Sequence, residues 1–270
     1  SLKYTIDTPE NRQFLSEIRD TLFSFGRQFP SPGGGSYYLG DDGTPLKDRP
    51  RETWITSRMA HVYSIASLLE PASDYGLLAD AALQGLCGEL HDRSNGGWYA
   101  GLQADCTPLP AKQCYAHAFV ILAACSGVLA KRPAAQSLLE DALDIYDKYF
   151  WNESEGLSCD TWNTEFTILD DYRGLNANMH TVEAFLAVAA TGNETYRRRA
   201  GRIIDHVLTW ANHNDWRIPE HFRKDWTPDL DCNKDHPDDP FKPYGATPGH
   251  GIEWARLITQ WAYSMKNTAE

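Results

Sequence analysis

Apolar residues recur along this chain with the period of about 3.6 that lays one buried stripe on an α-helix. Between Thr8 and Phe29, the residues Phe14, Leu15, Ile18, Leu22, Phe23 and Phe25 fall mostly on one side. Between Trp54 and Leu69, Ile55, Met59, Val62, Ile65, Ala66 and Leu69 do the same. The period returns near 74–91, 112–130, 134–150, 177–191, 194–212 and 249–265, which predicts eight helices in all. Thr8, Asp74 and Asn193 stand where N-caps belong, and Gly26 and Gly192 where helices stop.

Short segments rich in Gly, Pro and aromatic residues separate the helix pairs. Gly34-Gly35-Ser36-Tyr37-Tyr38 leads to Pro45-Leu46, and Gly96-Gly97-Trp98-Tyr99 leads to Pro108-Leu109 in the same pattern. Gly156-Leu157 opens a third such segment, and Trp216-Arg217-Ile218 through Trp226-Thr227-Pro228 forms a fourth. Alternating side chains around Asp42-Gly43 read as a small β-hairpin, and the other segments are expected to match it. The unit of one helix pair plus one hairpin therefore repeats about every 60 residues.

Each amphipathic pair needs neighbours to cover its apolar face, which an open solenoid or a closed toroid supplies. Long connections gathered at one end favour the toroid, since they can build a shared mouth. The expected fold class is all-α: an (α/α) helical-hairpin toroid with small β-hairpins at one end. No Pro/Ser-rich linker interrupts the chain, so residues 1–270 are assigned to one domain. A ring of six such pairs needs about 360 residues, and this chain has 270. The expectation is an incomplete ring, either a piece of a longer chain or one completed by a partner, whose open apolar face drives self-association into a homo-oligomer.

A net charge of -12 argues against nucleic acid or an anionic membrane as partner, because both call for a basic surface. No apolar run approaches the roughly 20 residues of a membrane span. The polar start, SLKYTIDTPENRQF, does not read as a secretory signal. Six cysteines occur without any CxxC spacing, so zinc ribbons and thioredoxin-type chemistry are not expected. Reduced thiols and a cytoplasmic location are the expectation. Many of the nine tryptophans, Trp54 among them, sit beside predicted turns. They suit core packing and loop anchoring, or the stacking of a pyranose face.

Two patterns carry candidate chemistry. Asn176-Ala177-Asn178-Met179-His180-Thr181-Val182-Glu183 and Gly245-Ala246-Thr247-Pro248-Gly249-His250-Gly251-Ile252-Glu253 each open a predicted helix with His and Glu three residues apart. That spacing shares a helix face, so a carboxylate can hold one imidazole nitrogen and leave the other for proton transfer. Two surface ion pairs would give the same pattern. Gly249 reads as the residue granting backbone freedom ahead of His250. Arg58 follows Trp54 by four residues, either binding hydroxyls or an anion, or packing its stem on the indole. Tyr115 reads as a pocket residue and His117 as a structural histidine; Glu220 and His221 are candidates for the rim. The chain contains no dinucleotide-binding, Walker or nucleophile-elbow motif. The His-x-x-Glu order reverses that of helical di-iron sites, and no metal or other cofactor is expected.

The segments Trp54-Ile55-Thr56-Ser57-Arg58-Met59-x-His61-Val62-Tyr63, Asp171-Tyr172-Arg173-Gly174-x-Asn176-Ala177-Asn178-Met179-His180 and Tyr244-Gly245-Ala246-Thr247-Pro248-Gly249-His250-x-x-Glu253-Trp254 resemble the N-acylglucosamine 2-epimerase family. Within it they are most similar to the aldose–ketose isomerase branch of mannose and sulfoquinovose isomerases. The resemblance implies an (α/α)6 barrel and a cofactor-independent reaction on a monosaccharide through an enediol. Carried over by motif, His250 and His180 are catalytic. Arg58, Tyr115, Asn176 and Glu253 line the pocket, Arg58 facing the developing oxyanion, and Glu183 orients His180. The family's last helix pairs and a further catalytic His near its C-terminus have no counterpart in these 270 residues, so the short chain is either inactive or active without them. Lys242 replaces the Arg of a Phe-Arg-Pro-Tyr-Gly run. The competing readings are an (α/α)6 glycoside hydrolase using Glu183, Glu220 or Glu253, and a non-catalytic sugar-binding protein.

Overall fold

Thr8 opens the first helix, α1 (Pro9–Gly26): its hydroxyl accepts the Asn11 N–H at 3.1 Å, and Pro9 brings a preset φ to the first turn. The computed structural model describes Lys3 and residues 5–266. It continues with α2 (Thr53–Leu69), α3 (Tyr75–Cys87), α4 (Cys114–Leu129), α5 (Ala135–Tyr149), α6 (Leu175–Ala189), α7 (Glu194–Asn212) and α8 (Pro248–Lys266). The eight helices expected from periodicity are all present among the described residues. Two expected caps behave differently. Asp74 and Asn193 occupy N-cap positions and accept from the helix through their carbonyls, but neither side chain caps it, and the Asp74 carboxylate turns instead to the Arg27 guanidinium.

Helices α2, α4, α6 and α8 lie side by side in chain order, while α3, α5 and α7 back them. The composition of each layer explains this. Helix α4, CYAHAFVILAACSGVL, is apolar on almost every side and is buried along nearly its whole length. Helices α5 and α7 bury one stripe, including Leu138, Ala142 and Tyr146 in α5 and Ile203, Ile204 and Val207 in α7. At the two ends of this row, α1 shows Leu15 and Leu22 to solvent and α8 shows Ile252 and Tyr263.

Three hairpins form at the expected places: β1 (Tyr38–Leu39) with β2 (Pro45–Leu46), β4 (Gly101–Leu102) with β5 (Pro108–Leu109), and β7 (Trp151–Asn152) with β8 (Leu157–Ser158). Other strands tie one repeat to the next. β3 (Arg51–Glu52) pairs with β4, β6 (Lys112–Gln113) with β9 (Thr161–Trp162), and β10 (Arg173–Gly174) with β11 (His221–Phe222), all antiparallel. The first N–H of each following helix is satisfied by the same neighbour: Thr53 donates to Ala100 O, Cys114 to Asp160 O and Leu175 to Glu220 O, at 2.8–3.0 Å. Helix N-termini carry unpaired amides, so these bonds pin the starts of α2, α4 and α6 to one rim.

The fourth expected hairpin forms in the second half of its segment: the Arg223 N–H donates to Thr227 O at 3.0 Å and the Asp229 N–H to His221 O at 2.9 Å, around a bridge between Phe222 and Pro228. Asp215 and Trp216 both adopt positive φ and lie ahead of it, and its first arm, His221–Phe222, also pairs with β10. His221–Phe222 therefore has a partner on each side, as β4 has in β3 and β5. The glycine pair at 34–35 has a packing reason. Both residues have positive φ and lie against α3, where a Cβ on Gly85 would sit 2.4 Å from the Gly35 nitrogen.

Candidate active site

Trp54, Tyr115 and Asn176 are each the second residue of their helix and stand 61 residues apart. Arg58, Phe119 and His180 repeat that spacing one turn further in, on the same helix faces. The repeat thus stacks two tiers of side chains beneath the rim. The Arg58 guanidinium lies 6.0 Å from the Trp54 ring centre and 5.1 Å from that of Phe119. The His180 ring centre is 4.5 Å from Phe119 and 5.2 Å from Tyr115, and Trp54 meets Tyr115 edge-on at 6.0 Å. Phe119 was not singled out from sequence. Superimposing the repeat on itself at 61 residues would have found it.

Above these tiers a cleft of about 330 Å³ opens to solvent. Of the expected residues, Trp54, Tyr115 and Asn176 line it; Arg58, His180, Glu183, Glu220, His250 and Glu253 do not. The N-cap residues Glu52, Gln113 and Gly174 also line it, and none of these three helix starts has a side-chain cap. Three helix dipoles therefore present their positive ends toward one space, an arrangement that favours negative charge on a bound oxygen. Asp160, Asp170, Tyr172 and Lys242 form another wall, with the Lys242 ammonium 3.9 Å from the Tyr172 ring centre. Burial pushes the Asp160 carboxyl up to about 6, with Asp170 adding to the rise and Lys242 opposing it. The two aspartates were not singled out from sequence, and Tyr172 entered only within a longer quoted segment; they reach the cleft as the residues leading into β9 and β10.

His250, at the start of α8, is oriented by a residue other than the one expected. Its Nδ1 lies 3.0 Å from both carboxylate oxygens of Glu220, thirty residues earlier, and not against Glu253. The helical face offered Glu253, but Glu220 approaches from the segment that leads into β11 and reaches the ring first. A carboxylate only accepts, so Nδ1 carries the proton and Nε2 is left as the basic nitrogen of a neutral ring. Glu220 is 5% exposed, whereas His250 is only half-buried. The hydrogen bond to Glu220 raises the His250 pKa above its ordinary 6.5; burial opposes this, and the Glu220 and Glu253 charges add to it. Gly249 is helical without positive φ; the left-handed turn sits at Gly245, and Pro248 starts the helix.

His180 is largely buried, and its Nδ1 has no hydrogen-bond partner; the nearest Glu183 oxygen is 3.6 Å away. The expected orienting bond is thus loosened, because Glu183 also accepts from Arg256 of α8 at 2.8 Å. Burial opposes ionisation of Glu183, but the His180 imidazole and the Arg256 guanidinium outweigh it and hold the carboxyl down at about 2. A carboxyl whose folded pKa lies below its ordinary 4.5 contributes stability above that value, and the contribution fades as pH falls toward 2. Denaturant unfolding followed between pH 5 and roughly 2 should show stability falling less steeply in Glu183→Gln than in the parent chain. Equal slopes would remove Glu183 from the acid response.

The remaining candidates divide. Arg58 is exposed at the edge of the aromatic tier. Burial raises the Tyr115 pKa against the Arg58 charge, and Glu253 acts on the same hydroxyl, so α2, α4 and α8 share one field. His61 bonds Ser126 Oγ at 2.7 Å. His117 proves structural: Nδ1 donates to Gln113 O at 2.6 Å, Nε2 accepts the Trp98 N–H at 3.1 Å, and burial pushes its pKa down to about 3. His221 is likewise held, accepting from the Tyr172 hydroxyl and donating to Pro243 O.

Comparison with known proteins bears on the family and the fold. The model of the N-acylglucosamine 2-epimerase (GlcNAc 2-epimerase) family matches residues 34–270. A D-mannose isomerase of Thermobifida fusca is 40% identical over 251 residues, covering 92% of this chain and 61% of the relative. A D-mannose isomerase of Pseudomonas cannabina pv. alisalensis is 37% identical over 253 residues, covering 93% and 60%. A crystal structure of D-mannose isomerase superposes with a TM-score of 0.87 at 28% identity, covering 96% of this chain and 67% of that one. The cellobiose 2-epimerase of Spirochaeta thermophila shares the fold, with a TM-score of 0.76 at 21% identity over 94% of this chain and 65% of its own. The chain spans about 61% of the length of the first of these curated relatives. On the match of its repeats and the similarity of its helical framework, the chain belongs to the N-acylglucosamine 2-epimerase family.

Proposed function

We propose that this chain carries the catalytic half-site of a cofactor-independent sugar isomerase acting on a monosaccharide such as D-mannose, through an enediol. The observation that carries this reading is the His250–Glu220 pair, which occupies Nδ1 and leaves the other imidazole nitrogen of a half-buried ring without a hydrogen-bond partner among the described residues. In the proposed reaction the opened aldose places C2–H at His250 Nε2. Nε2 takes the proton, the electron pair forms the C1–C2 double bond, and negative charge moves onto O1. Return of the carbon proton to C1, with the O2 proton passing to O1, gives the ketose. Return to the opposite face of C2 gives the epimer.

The developing oxyanion falls to Arg58 and to the starts of α2, α4 and α6. Trp54 and Tyr115 offer flat apolar area for the sugar's C–H face, and Asn176 a donor and an acceptor for hydroxyls. His180, with its unpaired Nδ1, is proposed as the second polar group, serving ring opening or a substrate hydroxyl. A glycosidase needs two available carboxyls across one bond. Glu183 and Glu220 are tied to Arg256 and His250, which favours the isomerase reading.

The test is incubation of the 270-residue chain with mannose in D2O, followed by NMR. Fructose carrying deuterium at C1 is expected. No exchange at C2 of any aldose tried would overturn the reading.

A further inference from the structure

We propose that Glu220 is a positioning residue for His250 and does not bind the sugar. This rests on the reading of His250 as the proton-transfer group. Both Glu220 oxygens are 3.0 Å from Nδ1, and neither has another hydrogen-bond partner among the described residues. The carboxylate is nearly closed off from solvent, and the imidazole engages both of its oxygens. Two equivalent acceptors at one N–H resist rotation of the ring and hold the tautomer with Nε2 unprotonated.

The backbone of Glu220 supplies the second half of the device. Its carbonyl accepts the N–H of Leu175, the first residue of α6. The next two residues, His221 and Phe222, are locked to Gly174 and Arg173. One residue therefore sets both the start of the helix bearing Asn176 and His180 and the ring orientation on α8. The equivalent carbonyls in the earlier repeats belong to Ala100 and Asp160. Ala100 has no functional side chain, and the Asp160 side chain faces the cleft. Among the described residues, this position meets a histidine side chain in the third repeat alone. The charged groups acting on His250 are Glu220 and, along α8, Glu253. Loss of the Glu220 charge should therefore make His250 a weaker base.

The experiment compares Glu220→Gln with the parent chain. The readouts are the NMR titration of the His250 ring and kcat and KM for the aldose as functions of pH. The expected result is a His250 titration moved to lower pH in Glu220→Gln and an acid limb of kcat moved with it. In addition, kcat should fall at least about tenfold with KM nearly unchanged. A rise in KM at unchanged kcat, with the titration unmoved, would make Glu220 a sugar ligand and overturn the proposal. A lowered unfolding temperature with an unmoved titration would overturn it as well, leaving a structural role. If neither protein turns over any aldose while the titration still moves, the isomerase reading fails and the Glu220–His250 coupling stands. Should Glu220→Gln not fold, the ring nitrogen shifts of the parent decide: protonated Nδ1 supports the proposal, and protonated Nε2 overturns it.

Discussion

Replacing His250 with Asn is expected to lower aldose turnover by roughly 10²- to 10⁴-fold with little change in stability, the range that a positioned acid–base group contributes. Asn is the informative choice. Its amide can still donate to the Glu220 carboxylate, so the buried charge keeps a partner. Alanine would strip that partner away and mix a stability loss into the kinetics. The Asn amide cannot accept a proton from carbon, however. Deuterium exchange at C2 in D2O should thus vanish together with ketose formation, while sugar binding measured by tryptophan fluorescence persists through Trp54. Exchange at the parent rate would remove His250 from the chemistry and with it the proposed reaction.

Replacing Lys112 with Met is expected to destabilise the fold by about 3–5 kcal/mol, lowering the unfolding midpoint by ~10 °C. Lys112 is fully buried beside β9, and its ammonium bonds Asp92 Oδ2 at 2.9 Å and Gly96 O at 2.7 Å. It also lies 4.5 Å from the Phe166 ring centre. Asp92 is 1% exposed and accepts from the N–H groups of Ser94 and Asn95. Burial opposes its ionisation, yet Lys112 and these donors hold the carboxyl well below the usual range. Removing the cation leaves that charge uncompensated, which is the costly half of a buried ion pair. The double replacement Lys112→Met with Asp92→Asn should recover most of the loss. Guanidinium unfolding of the three variants measures it, and a single-variant loss below about 1 kcal/mol would refute the argument. The neighbour of Lys112 is Gln113, the N-cap of α4 at the cleft, so the damage should extend to sugar binding.

How much of this could be read beforehand depended on the range of the interaction involved. Helix α4 and its structural histidine were legible because period and composition act within one or two turns. His117 bonds Gln113, its own helix's N-cap, and packs against Gly97, where a Cβ would lie 2.7 Å from Nε2. The Gly-Gly segments at 34 and 96 announced their hairpins for the same local reason. The fourth hairpin was legible too, but its start was placed early, because Asp215 and Trp216 turn the chain with positive φ before His221 begins the first arm. Glu253 was expected beside His250 because helical spacing was the one geometry available from sequence, and Glu220 took its place from a strand in contact with another repeat.

The amino-acid order by itself determined eight amphipathic or fully apolar helices, the roughly 60-residue period and the family. It also placed an aromatic or polar side chain at the second position of α2, α4 and α6. These depend on hydrophobic spacing and turn chemistry, which are local. Only the tertiary structure decided which carboxylate holds His250, how Arg256 draws Glu183 away from His180, and that Asp160, Asp170 and Lys242 share the cleft with Trp54. Each of these joins residues from different repeats or connections. Their meeting is set by strand pairing and helix packing, whose outcome no single stretch of chain contains.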